Sequence, residues 1–302
     1  MSRVLSFLLI LIGSQFPLFA APSEIVICQY NVRNYVNEKA KGEGDKYATH
    51  AKPESEIAAL IKIIKEINPD ILGVCEMGTP DRFEDFKKRL ADAGLGYTDS
   101  EYVQAADPDR HLALVSRFPI VARQSATDVS FEINGQQEKV RRGFLDVTVQ
   151  VNSSYQLRLV GAHLKSKLPI PEGEALVRRY EAQRLRAHLE KIMTADSEVN
   201  LVCYGDFNDT KNEPMFSEIT GVRGSANYMA DIWAKDSLGD KWTYYWKVAD
   251  EYSRIDYLFA SPALFHEVVR AKSHVYRSDV NEWSDASDHR AVFTSIVPLN
   301  KK

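Results

Sequence analysis

Apolar residues fall along this chain in two kinds of block, compact uninterrupted runs and stripes at helical spacing. The runs read as strands covered on both faces: residues 24–30, 71–75, 112–116, 155–162, 201–203, 254–260 and 290–297. One stripe, Ile57, Leu60, Ile61 and Ile64, follows Pro53-Glu54-Ser55-Glu56, whose carboxylates suit the positive end of a helix, and Pro69 stops it. A second, Phe83, Phe86 and Leu90, closes at Gly94 and Gly96. Pro171-Glu172 opens a third helix that runs to about residue 193 and carries many basic residues on its exposed side. Asn134-Gly135 predicts a hairpin between a strand over 127–133 and a long strand over 140–151. Helices separated by antiparallel hairpins imply an α/β fold, two packed sheets with helices outside, in one domain.

The strand-like runs end on side chains capable of chemistry. Leu201-Val202-Cys203 leads through Gly205 into Asp206 and Asn208, two polar residues that an extended segment projects to one side. That stretch alone reads equally as an Asx turn or as a carboxylate and amide that handle one water or phosphate oxygen. Asn31, Glu76, His163, Asp256 and the pair Asp288-His289 occupy the same kind of position. So many strand termini with oxygen and imidazole donors point to one cleft that they share. The donor set is oxygen-rich and has no Cys/His cluster, which suits a hard cation such as Mg²⁺ or Mn²⁺ better than zinc. Phosphate-ester cleavage fits such a set, since it needs charge neutralisation, a carboxylate to activate water and cations around the transition state.

Composition narrows this only a little. The chain has 302 residues, 44% apolar and 26% charged, enough for a substantial core. Arg3, the apolar run 4–12 and the small residues Ala20 and Ala21 follow the layout of a secretory signal peptide, so we expect residues 1–21 to be removed and 22–302 to form the exported domain. The run is too short to span a bilayer, and stable membrane insertion is not expected. The net charge of −4 weighs against a tight, sequence-blind nucleic-acid binder but leaves room for a local basic groove. Cys28, Cys75 and Cys203 lie inside strand-like runs and read as small core residues, although one pair on adjacent strands stays open. The region of Trp233, Trp242 and Trp246 reads as core, with one indole free to stack on a base or touch lipid.

Gln29-Tyr30-Asn31, Val74-Cys75-Glu76, Gly161-Ala162-His163, Gly205-Asp206-Phe207-Asn208, Arg254-Ile255-Asp256-Tyr257 and Ser287-Asp288-His289 together resemble the endonuclease/exonuclease/phosphatase superfamily, in its order and spacing. Within it the chain resembles pancreatic-type deoxyribonucleases and, less closely, abasic-site endonucleases. The resemblance implies a four-layer α/β sandwich of two packed, mainly antiparallel sheets flanked by helices, with the active site at their top. It makes Glu76 the principal metal ligand, with Asn31 and Asp288 beside it. Asp206 would activate water, Asn208 would hold water or phosphate, and His289 would contact phosphate, oriented and kept charged by Asp256. His163 matches a second catalytic imidazole of the deoxyribonucleases, where abasic-site enzymes use a tyrosine.

Substrate-binding candidates are Lys165, just after His163, Arg178 on the third helix, and Arg117 in Ser116-Arg117-Phe118-Pro119, a segment that with Arg141-Arg142 resembles family segments near the site. The lysine and the helix arginine read equally as a cationic wall or as a solvated basic face. The expected activity is that of a metal-dependent nuclease acting on DNA or RNA, with no protein partner implied. The alternatives are a small-molecule or lipid-head-group phosphoesterase and, from another class, a binding protein on the same fold. The inositol-phosphatase pattern fits poorly, because Asp209 stands where those enzymes carry an arginine. No long hydrophobic hairpin of the sphingomyelinase kind is visible, and loop 33–52 is expected to overhang the cleft.

Overall fold

The structure is a computed structural model that describes residues 22–38, 50–278 and 282–299; the expected signal peptide and most of loop 33–52 lie outside the described residues. In chain order the first half runs β1 (Ile25–Tyr35), α1 (Glu54–Ile67), β2 (Ile71–Met77), α2 (Pro80–Asp92), β3 (Asp99–Val103), β4 (His111–Ser116), β5 (Ile120–Arg123), β6 (Ser130–Ile133), β7 (Gln136–Lys139), β8 (Phe144–Asn152) and β9 (Tyr155–His163). The second half runs α3 (Glu174–Ala195), β10 (Leu201–Asp206), α4 (Pro214–Thr220), β11 (Ala230–Asp231), β12 (Tyr244–Trp246), β13 (Glu251–Ser253), β14 (Asp256–Ala260), α5 (Pro262–Phe265), β15 (Val268–Val275), α6 (Glu282–Ala286) and β16 (Val292–Ile296).

Two six-stranded sheets form the centre, ordered β15-β16-β1-β2-β4-β3 and β11-β14-β10-β9-β8-β5. Pairing is antiparallel except β1 with β2 and β9 with β10. Strand period puts alternate side chains on opposite faces. Ile25 and Ile27 of β1, Leu112 and Leu114 of β4, Leu157 and Leu159 of β9 and Val202 and Tyr204 of β10 meet between the sheets. The opposite face of β1, β2 and β4 packs Cys28, Tyr30, Leu72, Val74 and Val115 against Ile57, Leu60 and Ile64 of α1 and Phe83, Phe86 and Leu90 of α2. On the far side of the second sheet Val160, Cys203 and Phe259 pack against Val177, Leu185 and Leu189 of α3. The layers are therefore helix, sheet, sheet, helix. All three cysteines are buried and free.

Three expectations change. The turn at Asn134-Gly135 joins β6 to the separate short strand β7 in their own two-stranded sheet, while β8 pairs with β9 and β5. Gly143, at φ 63°, breaks what reads as one long run and frees Phe144 to start in a different sheet. Trp233 and Trp246 are 58% and 47% exposed rather than core, and only Trp242 is half-buried.

Candidate active site

The same alternation that fills the space between the sheets delivers polar residues to one end of it. Beyond Ile25 and Ile27, the inward face of β1 continues with Gln29 and Asn31; beyond Val202 and Tyr204, β10 continues with Asp206; β14 begins with Asp256, and β9 ends with His163. Register places Asp206 opposite both Asp256 and His163. Gly205 makes this close approach possible: at φ 151°, a Cβ there would lie 1.8 Å from the carbonyl oxygen of Ala162.

Glu76 breaks the alternation. Cys75 takes the inward position on β2, and a regular strand would turn Glu76 toward the helices. Instead Glu76 adopts φ 64°, a left-handed conformation costly for a residue with a Cβ, and joins the cleft. The facing end of β1 is bent too, with Arg33 and Asn34 at φ 47° and 51°. The Asn34 N–H then donates to Glu76 Oε2 at 2.9 Å, and the Arg33 N–H donates to Asn31 Oδ1 at 3.0 Å. β1 thus runs past Asn31 to Tyr35 rather than ending there.

Asp206 Oδ2 is the hub. Asn31 Nδ2 donates to it at 2.9 Å, while His163 Nε2 and His289 Nε2 stand 3.6 and 3.7 Å away. Its other oxygen accepts the Asn208 N–H at 2.9 Å, and Asn208 Nδ2 donates to the Leu164 carbonyl at 3.0 Å. Burial raises the Asp206 carboxyl to about 7, against the pull of His289 and the hydrogen bonds from Asn31 and Asn208. Burial alone would lower His289, but Asp256 and Asp206 outweigh it and lift the imidazole to about 10. Asp256 Oδ2 lies 2.8 Å from His289 Nδ1, and its Oδ1 accepts from Gln29 Nε2 at 3.0 Å. Thr243 Oγ1 anchors this strand end by accepting the Ile255 and Asp256 N–H groups, both at 3.1 Å. His163 is different: burial, with Arg142, His289 and Arg110 adding repulsion, pushes it well below the usual imidazole range. Among the described residues its buried Nδ1 has no hydrogen-bond partner.

At the rim, Arg110 Nε lies 2.8 Å from Asn34 Oδ1 and 3.8 Å from Glu76 Oε2, and Arg33 Nε lies 4.0 Å from Asp288 Oδ2. Asp288 is joined to the cleft through Ser287, whose hydroxyl donates to the Asn31 carbonyl at 2.8 Å, and His289, whose N–H donates to Ser287 Oγ at 3.0 Å. The Tyr244 ring centroid is 4.8 Å from that of His289.

Two groups of ligand atoms suit a metal ion differently. Asp206, Asp256 and His289 place theirs within 4.8 Å of one another. Asp256 and His289 already bind each other, however, and a cationic imidazole has no lone pair to give. Among the described residues Glu76 Oε1 has a long 3.4 Å contact to Asn31 Nδ2, while the Asn31 oxygen accepts the Arg33 N–H; the carboxylates of Glu76 and Asp288 and that amide oxygen are all oxygen donors, the chemistry of a hard divalent cation.

The structure brings Asn31, Glu76, His163, Asp206, Asn208, Asp256, Asp288 and His289 to one cleft, but not the three basic candidates. Arg117 lies at the opposite end of the first sheet, where β4 ends beside the start of β2, bonded to Asp70 and Asn68 and stacked on Tyr97. Lys165 is buried and its ammonium caps the carbonyls of Ser166 and Leu168, both at 2.8 Å. Arg178 is buried against Asp209 at 2.8 Å and the Lys165 carbonyl at 3.1 Å. Each cation is consumed inside the fold. Arg33, Arg110, Gln29, Thr243 and Tyr244 reach the site without having been singled out; of these, Gln29, inside the first motif and two residues before Asn31, and Arg33, the first residue of the loop expected over the cleft, carried a sequence signal.

The endonuclease/exonuclease/phosphatase family model matches residues 28–289. Comparison with curated protein sequences finds no match. Among solved structures, the human Nocturnin catalytic domain with bound sulfate is 18% identical, with TM-score 0.63 over 90% of this chain and 94% of that one. Truncated Caenorhabditis elegans TDP2 is 16% identical, with TM-score 0.59 over 91% and 98%. Sphingomyelinase C from Streptomyces griseocarneus is 14% identical, with TM-score 0.59 over 90% and 99%. At these identities the likeness carries the fold, whereas the family match spans every motif of the cleft: the chain belongs to the endonuclease/exonuclease/phosphatase family, whose members hydrolyse phosphate esters.

Proposed function

We propose that this protein is an exported, divalent-metal-dependent phosphodiesterase that cleaves nucleic acid by direct attack of water on phosphorus. The observation that carries it is the convergence of two unlike imidazoles, one cationic and one neutral, on a single oxygen of the buried Asp206. Glu76, Asn31 and Asp288 would hold Mg²⁺ or Mn²⁺, which would supply positive charge to the phosphate oxygens. Asp206, raised to about 7, is suited to take a proton from water near neutral pH. The Asn208 amide nitrogen is occupied by Leu164, which leaves its carbonyl oxygen to orient that water. His289, held cationic by Asp256, donates from Nε2 to the phosphate oxygen where charge grows. His163, which burial keeps neutral, faces the same space with its Nε2 3.6 Å from Asp206. Arg33 and Arg110 line the rim and supply guanidinium groups that suit phosphate oxygens. Export rests on the leader-like residues 1–21.

A lipid-head-group substrate is the second reading. The hairpin β12–β13 beside His289 carries Trp246, Val248 and Tyr252 at 47, 88 and 54% exposure, an apolar tip of the kind that touches lipid. Among the described residues no helix is long and apolar enough to cross a membrane.

The test is hydrolysis of plasmid DNA, RNA, a nitrophenyl diester, a monoester and sphingomyelin by the chain lacking residues 1–21, with Mg²⁺ or Mn²⁺, beside Asp206→Asn. Cleavage of polynucleotide that the variant lacks supports the reading. Turnover of sphingomyelin alone replaces it with the second, and no turnover of any ester sinks both.

A further inference from the structure

Outside the cleft, the outer edge of the second sheet carries a groove of about 840 Å³ lined by Lys211, Arg223, Trp233, Phe265 and Arg270 among others. The indole of Trp233 is 58% exposed, an unusual place for a side chain that can bury about 150–250 Å². It is nevertheless held firmly. Its neighbours Ile232 and Ala234 are buried, and the Ile232 N–H donates to the Leu258 carbonyl of β14 at 2.9 Å. Two ammonium groups lie over the ring as cation–π partners, Lys241 Nζ at 4.5 Å and Lys211 Nζ at 5.6 Å from its centroid. Further along, the Arg270 guanidinium lies 4.9 Å from the Phe265 ring. Asp231, an acidic residue of the groove, has both oxygens taken by Arg254 at 2.8 and 2.6 Å, so it does not cancel this charge.

Two of these cations stand close along the chain to the catalytic strand ends. Lys211 sits on the loop that leaves β10 after Asp206 and Asn208, and Lys241 comes two residues before Thr243, which anchors Asp256. An exposed ring with two flexible ammonium groups over it can stack an unpaired base in their place while they move to the phosphates on either side. A duplex keeps its base faces stacked on one another and cannot use it.

We propose that this groove is a track for a single-stranded stretch of nucleic acid leading to or from the cleft, with Trp233 as its stacking platform. The choice of polymer rests on the nucleic-acid reading of the catalytic site.

The test measures anisotropy of a labelled single-stranded oligonucleotide on Asp206→Asn protein, which binds without cutting, with and without Trp233→Ala. We expect Trp233→Ala to weaken single-strand binding about 5- to 100-fold, with Trp233→Phe keeping most of it and duplex binding little changed. Lys211→Gln with Lys241→Gln should flatten the dependence of log Kd on log salt by about 1.4. Trp233→Ala in the otherwise unaltered enzyme should hydrolyse a nitrophenyl diester normally, which shows that it is folded. Single-strand affinity unchanged by Trp233→Ala overturns the proposal, as does Trp233-dependent binding to phosphatidylglycerol vesicles without oligonucleotide binding. Strong cleavage that ignores Trp233 removes the track and leaves the nuclease reading. Trp233-dependent oligonucleotide binding by a protein that cuts no polynucleotide removes the nuclease reading and leaves the track.

Discussion

His163 and His289 approach the same oxygen of Asp206, at 3.6 and 3.7 Å, but only His289 has a carboxylate behind its ring, Asp256 at 2.8 Å. The near-symmetry of position hides an asymmetry of charge. One imidazole is lifted to about 10 and the other is pushed well below its ordinary value. Two cationic rings on one carboxylate oxygen would repel each other, so protonating the one with a partner disfavours protonating the other.

Asp256→Asn should therefore release His289 toward an ordinary imidazole pKa. With Asp256 present, His289 stays cationic as pH rises until about 10; without it, the cation is lost nearer the unperturbed value of about 6.5. Hydrolysis should fall about 100-fold or more at pH 8, and the alkaline limb of the pH–rate profile should move toward neutral pH. The linked stability has the same sign: the raised pKa stabilises the fold fully below about 6.5, and this is lost as pH climbs through about 10. A profile with unchanged shape would mean that Asp256 only positions the ring.

Asp206 predicts the opposite trade. Its folded pKa is raised above the usual carboxylate value, so ionising it costs stability as pH rises from about 4 through about 7. Asp206→Asn keeps the Asn31 contact as an amide and removes the buried charge. In chelator at pH 8 we expect a Tm gain of about 2–6 °C, from ~1–2 kcal/mol left after the lost attraction to His289, and no gain near pH 4. Hydrolysis should be abolished. A lower Tm at pH 8 would mean that His289 gains more from this carboxylate than burial costs it.

How legible the site was in the chain follows from which interactions are local. Asn31, Asp206, Asp256 and His163 continue apolar alternations into the cleft, so strand period and position were enough. Glu76 lies on the wrong parity and enters only through its left-handed backbone, which no apolar pattern encodes; its motif, and not its period, marked it. The basic residues misled because a cation's availability depends on distant partners. Asp70 for Arg117, Asp209 for Arg178 and loop carbonyls for Lys165 were all visible as residues but not as neighbours. The polar edge strands β3, β5 and β15 were missed for a related reason: with one side open, they lack the apolar run that marks a central strand.

Arg178→Ala tests that correction. The guanidinium is buried and bridges α3 to Asp209 and to the Lys165 carbonyl, just past the end of β9. Removing it leaves the buried Asp209 carboxylate with only the more distant Lys167 ammonium at 3.6 Å as a cation among the described residues, which should cost about 3 kcal/mol of stability. Folded enzyme below its Tm should show kcat reduced through the displaced loop after His163 and KM for substrate nearly unchanged. A rise in KM alone, with unaltered Tm, would return Arg178 to substrate binding.

A substitution at Glu76 tests where a cation would sit. If Glu76 with Asn31 and Asp288 binds Mg²⁺, saturation at ten times Kd stabilises the folded protein by about 1.4 kcal/mol, which is a Tm rise of about 3–6 °C. Glu76→Gln keeps the size of the side chain and the acceptor for the Asn34 N–H but removes the charge, so the Mg²⁺-induced rise should vanish and hydrolysis should fall by about 100-fold or more. The rival position is the cluster of Asp206, Asp256 and His289. If the cation bound there, Glu76→Gln would keep the Mg²⁺-induced rise and Asp256→Asn would lose it. The pattern we expect is the reverse, because a cation at that cluster would have to displace a proton from an imidazole that Asp256 and Asp206 together hold on to up to about pH 10.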